Sequence, residues 1–532
     1  MTLAGPFPVP DPSMDHRMTD SAPKATSLPA RRLRVLFCNW IDWRDPGGRG
    51  GGVAVYQRNM AAALAGSDIE AGYLVSGLAH DLRPGAHPRW RQRRGQARGP
   101  SRHWEIVNSG VLAPGHAAFG DARQISHPPT EAAFGDFLAR TGPWDVVHFD
   151  SLEGFPAGVM GVAHAAGCRV AVMLHNHYPI CPQVNLWQRE RRSCTDFDQG
   201  RACIGCLVDP QPGHGARRLN MAISGHLAHL GGTGAVDMWR DVQRGLRKGL
   251  GHVHRHGGAG DSGPAAPPDP ARAAAFAARR LQMVGLINRH ADVVVCVSGR
   301  VARIAAQHGI RPDLLQVARI GTPEAGRYHQ SVPRALINAQ GRIHLAYLGY
   351  MRRDKGCLLL IETIEGMPDD LASRIELTVA ARGGLPEDEA RLQAAAGRLA
   401  VFRRQDGYRA EELDRLLGAA TLGLVPVMWE DNLPQVAIEM HLRRIPLLTT
   451  DLGGARELLD CPDLVVPAGD AGAIRARLRA IVSGHITQAR IWNHARAPVT
   501  MDEHLAVMAR LWGLAMPPTR VTADPRLDLE RS

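Results

Sequence analysis

Ile343-His-Leu-Ala-Tyr-Leu-Gly-Tyr-Met-Arg-Arg-Asp-Lys-Gly356 is the stretch on which the fold turns. Its apolar opening, 343–348, reads as a buried strand; a glycine and a charged turn follow, and 356–365 continues at helical spacing. The alternation recurs downstream, with strands at 376–380, 421–425, 446–449 and 464–466 and helical patterns at 386–399, 410–418 and 434–443. Upstream, Arg34-Val-Leu-Phe-Cys-Asn39 leads into the glycine loop Gly47–Gly52 and a helical pattern through Val53, Tyr56, Met60 and Leu64. Further strands are expected at 144–148, 168–174 and 293–297, the last after a helical pattern over 276–288. Short apolar strands alternating with helices indicate parallel sheets. Two such series predict an α/β chain of two Rossmann-like, doubly wound domains joined near 320–342, with a ligand cleft beyond the carboxyl ends of the strands.

Length agrees with two domains, since 532 residues exceed one small core. The expected division is an extension over 1–30, a first domain over 31–325, a second over 326–500, and a closing helix and tail over 501–532. Residues 83–102, with seven arginines, and 207–272, rich in Gly, His and Pro, read as insertions or mobile loops. With 45% hydrophobic and 22% charged residues the chain is neither fibrous nor wholly disordered. No apolar run approaches the ~18–20 residues of a membrane span, and the first thirty residues lack an apolar signal core. A cytoplasmic location is expected. The net charge of +11 favours anionic partners. Only Lys24, Lys248 and Lys355 are lysines among 63 basic residues, so a retained lysine draws notice.

Trp429-Glu-Asp-Asn-Leu-Pro-Gln-Val-Ala-Ile-Glu439 follows a strand and enters a helix, with Pro434 suited to its first position and Asp431 or Asn432 to a cap. Free amides at such a start attract a phosphate or a sugar hydroxyl. Glu439 can accept both hydroxyls of a ribose, or simply face solvent.

Asp431-x7-Glu439 resembles the paired-acid motif of the family 4 retaining glycosyltransferases, whose fold is GT-B. Asp stands where that family has Glu, and Glu430 lies beside it. Thr449-Thr-Asp-Leu-Gly-Gly-Ala-Arg-Glu457 is similar to the family's strand followed by Gly-Gly-x-x-Glu. Lys355 and Gly356 match its Glu-Lys-Gly segment, while Tyr350 replaces an arginine that Arg352 or Arg353 would supply. The resemblance implies that Asp431, with Glu430, Asn432 and Leu433, holds the donor sugar, and that Glu439 binds ribose. Lys355 would hold the diphosphate, Gly51 and Gly52 would let backbone approach it, and His175 in Leu174-His-Asn-His177 would contact the transferred sugar. Catalysis would rest on His175, Lys355 and Asp431, with no metal required. The implied reaction moves a sugar from a nucleotide-diphosphate donor to a hydroxyl acceptor with retention, in polysaccharide or glycolipid synthesis. The family also implies that the closing helix crosses back onto the first domain. A sugar phosphorylase, an epimerase and a non-catalytic binding protein of the same fold are the alternatives.

Two features fall outside that frame. Cys181, Cys194, Cys203 and Cys206 read as reduced thiols, a tetrahedral structural zinc site or a disulfide. The arginine run, flanked by Trp90 and Trp104, reads as a solvated loop or a contact with an anionic membrane bearing a lipid-linked acceptor. No nucleic-acid module accompanies it, so no nucleic-acid partner is expected.

Overall fold

The structure is a computed structural model and describes residues 32–45, 49–93, 102–207, 213–255, 269–493 and 495–514. The extension over 1–30, Gly47 and Gly48 of the glycine loop, parts of both insertions and the tail beyond 514 lie outside the described residues.

The first domain holds β1 (Leu33–Asn39), β2 (Ile69–Ala79), β3 (Arg89–Gln92), β4 (His103–Val107), β5 (Val146–Phe149) and β6 (Arg169–Leu174). A short hairpin, β7 (Trp187–Gln188) and β8 (Arg192–Ser193), precedes β9 (Val293–Cys296) and β10 (Leu315–Val317). Eight of these form one sheet in the order β10-β9-β6-β5-β1-β2-β4-β3, parallel except for β3 against β4. Helices cover both faces, which is why β5 and β9 are buried at every residue.

The second sheet contains β11 (Ile343–Tyr350), β12 (Ile375–Arg382), β13 (Val401–Gln405), β14 (Leu422–Val425), β15 (Leu447–Thr450) and β16 (Val465–Val466). Its order, β13-β12-β11-β14-β15-β16, is that of a doubly wound dinucleotide fold, reversing direction between β11 and β14. Both domains are thus Rossmann-like. Ligands of such sheets bind beyond the strand ends at that reversal, where the Lys355 turn and the Asp431 loop stand.

The helix Met501–Leu511 packs on the first domain rather than the second. Its Thr500 and Glu503 form a reciprocal cap, and Arg169 Nε donates to the Leu511 carbonyl at 2.9 Å. Among the described residues no helix is long and apolar enough to cross a membrane.

Both expected loops contain regular structure. In the arginine run, β3 closes the sheet edge: Arg89 and Arg91 reach outward to Asp81 and Glu105. Trp90 turns its ring onto Phe137 and donates to Asp136 at 2.8 Å, and Trp104 packs on Phe137 and Trp144. These rings serve the core of the first domain. The second insertion is largely helical over His214–Arg255, broken at Gly232, where Trp239 reaches back to Asn220 at 2.9 Å.

Candidate active site at the domain junction

The second domain presents a basic turn. Gly349 adopts φ 116° at the end of β11, and a short turn over Arg353–Lys355 leads to Gly356 at φ 82°. A Cβ on Gly356 would lie 1.9 Å from the Pro426 carbonyl oxygen, so only glycine lets this turn lie against the strand end. Lys355 Nζ is thereby held 2.5 Å from Asp431 Oδ2 and 5.0 Å from the centre of the Trp429 ring. The two residues expected to bind opposite ends of a sugar diphosphate stand as an ion pair. Arg352 is paired with Asp354 at 2.9 Å, while Arg353 and Tyr350 are exposed.

The 429–434 loop joins the domains. Glu430 accepts from Arg300 Nε at 2.8 Å and from the Gly453 amide at 2.9 Å. Burial would raise the Glu430 carboxyl, but Arg300 and that amide outweigh it and hold it below its usual value. His177 Nε2 donates to the Glu430 carbonyl at 2.9 Å, Asn432 Nδ2 to the Leu174 carbonyl at 3.1 Å, and Ser298 Oγ to the Asn432 carbonyl at 2.9 Å. Glu457 accepts the amides of Gly299 and Arg300, capping a first-domain helix with a second-domain carboxylate. Gly453 and Gly454 make this possible: a Cβ on either would meet the carbonyl oxygen of Asp431 or Asn432 within 2.3 Å.

The side chains of Glu430 and Asn432 hold the domains together, and Leu433 is buried. Pro434 is the cap of the helix Gln435–Leu442 rather than its first residue, and no side chain caps it. Gly51 and Gly52 open the helix Gly51–Leu64, with free space where a Cβ would stand.

Glu439 lies on the helix Gln435–Leu442 and accepts from Tyr408 Oη at 2.7 Å. Burial pushes its carboxyl up to about 7, with Tyr408 and Arg443 opposing. His175 stands at the end of β6, but its ring is turned inward: the side chain is 3% exposed, and the residue meets solvent through its main chain. His175 Nε2 lies 3.5 Å from Asp150 Oδ1, and its ring centre is 4.6 Å from that of Tyr56.

The four loop cysteines are free thiols, as are the other five. They influence one another electrostatically, and burial pushes Cys203 and Cys206 up to about 12. Among the described residues no group of three or more His, Cys, Asp or Glu side chains is arranged to hold a metal ion.

Motif matching found Lys355, Asp431 and Glu439. It missed Asp150, Arg300 and Tyr408, the last two with partners 130 and 31 residues away, and it placed Glu457 in Gly-Gly-x-x-Glu without its role across the domains. A charged residue just past a strand end, as at Asp150, was the only local signal for any of them.

Two facing Rossmann-like domains with the site between them define a GT-B protein. Residues 342–483, within the second domain, match the family model described as Glycosyl transferases group 1. No curated protein matches the chain. Among solved structures, Anabaena HepE in complex with UDP superposes with a TM-score of 0.51 at 12% identity, over 91% of this chain and 100% of that one. Sucrose-phosphate synthase from Thermosynechococcus elongatus gives 0.51 at 14% identity, over 90% and 98%. At these identities the likeness establishes the fold.

Proposed function

We propose that this protein is a retaining glycosyltransferase that moves a sugar from a nucleotide-diphosphate donor to a hydroxyl. The observation that carries the reading is the Lys355–Asp431 pair at the domain junction, inside the stretch that the group 1 family model matches. A donor replaces that pair. Its diphosphate takes the ammonium of Lys355, and its sugar hydroxyls take the carboxylate of Asp431. As the bond to the anomeric carbon breaks, charge grows on the departing phosphate, and a fixed ammonium beside it stabilises the transition state more than the ground state. Exposed Arg353 adds positive charge at the same turn. Retention follows if the acceptor hydroxyl attacks from the face the diphosphate leaves and gives its proton to that phosphate. Glu439, facing Tyr408, accepts the ribose hydroxyls. The bound UDP of the HepE structure supports a uridine donor as the first to try.

Thermal stabilisation of the purified protein by UDP, GDP and ADP tests the reading, followed by donor hydrolysis in the wild type, Lys355→Ala and Glu439→Ala. The expected result is stabilisation by one nucleotide and loss of turnover in both variants. Binding of no nucleotide, with variants indistinguishable from wild type, would overturn it.

A further inference from the structure

Behind the junction lies a buried polar network that the proposed reaction does not itself use. Asp150, 1% exposed just beyond β5, places Oδ1 3.3 Å from His148 Nε2 and 3.5 Å from His175 Nε2. Among the described residues none of these three buried atoms makes a full hydrogen bond, and the Asp150 oxygen is the polar atom that both ring nitrogens approach, so they can satisfy only one another. The second carboxylate oxygen accepts from Gln57 Nε2 at 2.6 Å, and Gln57 is itself held by Asn39 Nδ2 at 3.1 Å.

The protons can be assigned. Trp512 Nε1 lies 3.3 Å from His148 Nδ1, and an indole nitrogen only donates. His148 Nδ1 is therefore the acceptor, and the ring proton sits on Nε2, facing Asp150. A carboxylate flanked by His148 and Gln57 as donors leaves a third acceptor direction for His175 Nε2–H. On the other side of His175, Tyr56 donates to His504 Nε2 at 3.0 Å, because His504 Nδ1 is committed to the Arg319 carbonyl at 2.8 Å. Trp512 adjoins the helix Met501–Leu511 that carries His504, so the closing segment holds this network at two points. Burial alone would raise the Asp150 carboxyl; the neighbouring His148 and His175 hold it well below its usual range.

The geometry points to Asp150 as the positioning residue of His175, with Trp512 fixing the tautomer of His148 that in turn fixes Asp150. The assignment rests on the glycosyltransferase reading, in which His175, reaching solvent through its main chain, borders the transferred sugar. It extends that reading by making the closing segment part of the site. Asp150 touches no substrate. It holds the ring of His175 so that the end of β6 keeps its place against Asn432, whose side chain donates to the neighbouring Leu174 carbonyl.

The test compares the full-length wild type with Asp150→Asn and Trp512→Phe. In Asp150→Asn the turnover rate for donor falls about 100-fold, the loss that a small misplacement of reacting groups causes. The dissociation constant for the nucleoside diphosphate stays within about twofold, since that ligand is held by the second domain. Trp512→Phe keeps the apolar ring and removes the donor, and causes a smaller loss of the same kind. Ring-¹⁵N histidine NMR, with signals assigned through His148→Gln and His175→Gln, reads the tautomers directly: Nε2–H on both rings in wild type, and a mixture at His148 in Trp512→Phe. Finding Nδ1–H on wild-type His148, or unchanged turnover in Asp150→Asn, overturns the assignment. If the wild type binds no nucleotide, the glycosyltransferase reading fails instead, and the NMR arm still decides the network. Should Asp150→Asn not fold, Trp512→Phe and the wild-type tautomers carry the test.

Discussion

At the scale of single residues the site is a set of charges waiting for a competitor. Lys355 is a compact ammonium, one of three lysines in a chain whose basic residues are otherwise arginine, and arginine's planar fork cannot replace it against both Asp431 and a phosphate. Lys355→Ala is expected to lower donor turnover by about 100-fold or more, measured as release of nucleoside diphosphate. Glu439 behaves differently. Folding raises its carboxyl from an ordinary 4.5 to about 7, so the folded state prefers the protonated form. That contribution to stability is complete below pH 4.5 and is lost as the pH rises through about 7. A ribose diol needs the ionised form as acceptor. Nucleotide affinity should therefore strengthen as pH rises through about 7 in the wild type and stay flat in Glu439→Gln, read by titration calorimetry. Equal slopes in the two proteins would remove Glu439 from the ribose site.

Turns and strand ends decide whether those residues meet. The Arg353–Lys355 turn lies on the Pro426 carbonyl only because Gly356 has no Cβ and a positive φ. Gly356→Ala should cost about 1–3 kcal/mol of stability and weaken nucleotide binding with it, checked by denaturant melts beside the same titration. Retained affinity in a destabilised variant would mean that the turn can shift without moving Lys355. The 343–348 strand and its turn were legible in sequence because an apolar run meets a charged one there. The strand β2 was not, because Gly72 and Gly77 interrupt it. Gly72 is there for packing: a Cβ would lie 2.4 Å from the Trp144 ring. Edge strands β3 and β13 were hidden by their arginines, which pair with acids beside the sheet edge. Asp431 and Glu439 could be read from spacing, whereas the duties of Glu430 and Asn432 could not. Their partners, Arg300 and Leu174, lie 130 and 258 residues away.

For the whole molecule, the domains meet through a polar seam: Arg300 with Glu430, Ser298 with Asn432, His177 with the Glu430 carbonyl, and Glu457 with two amides. Such a seam holds the cleft in one arrangement, and a single apolar cluster, with Leu174 from one side and Leu433 from the other, runs through both domains beside it. Arg300→Met would leave the Glu430 carboxylate, 7% exposed, without its counter-charge. Breaking such a pair costs about 3 kcal/mol, and the cleft is expected to open, seen as a larger radius of gyration in solution scattering. An unchanged curve would mean that the remaining contacts suffice. The helix Met501–Leu511 and Trp512 add a different constraint, since Met508 and Trp512 are buried against the opposite end of the chain. The first domain is thus written in two separated parts of the gene. A ribosome finishes β1 long before it supplies the segment that covers it. Cutting the gene at the joint near 325 would strand that cover on the wrong product.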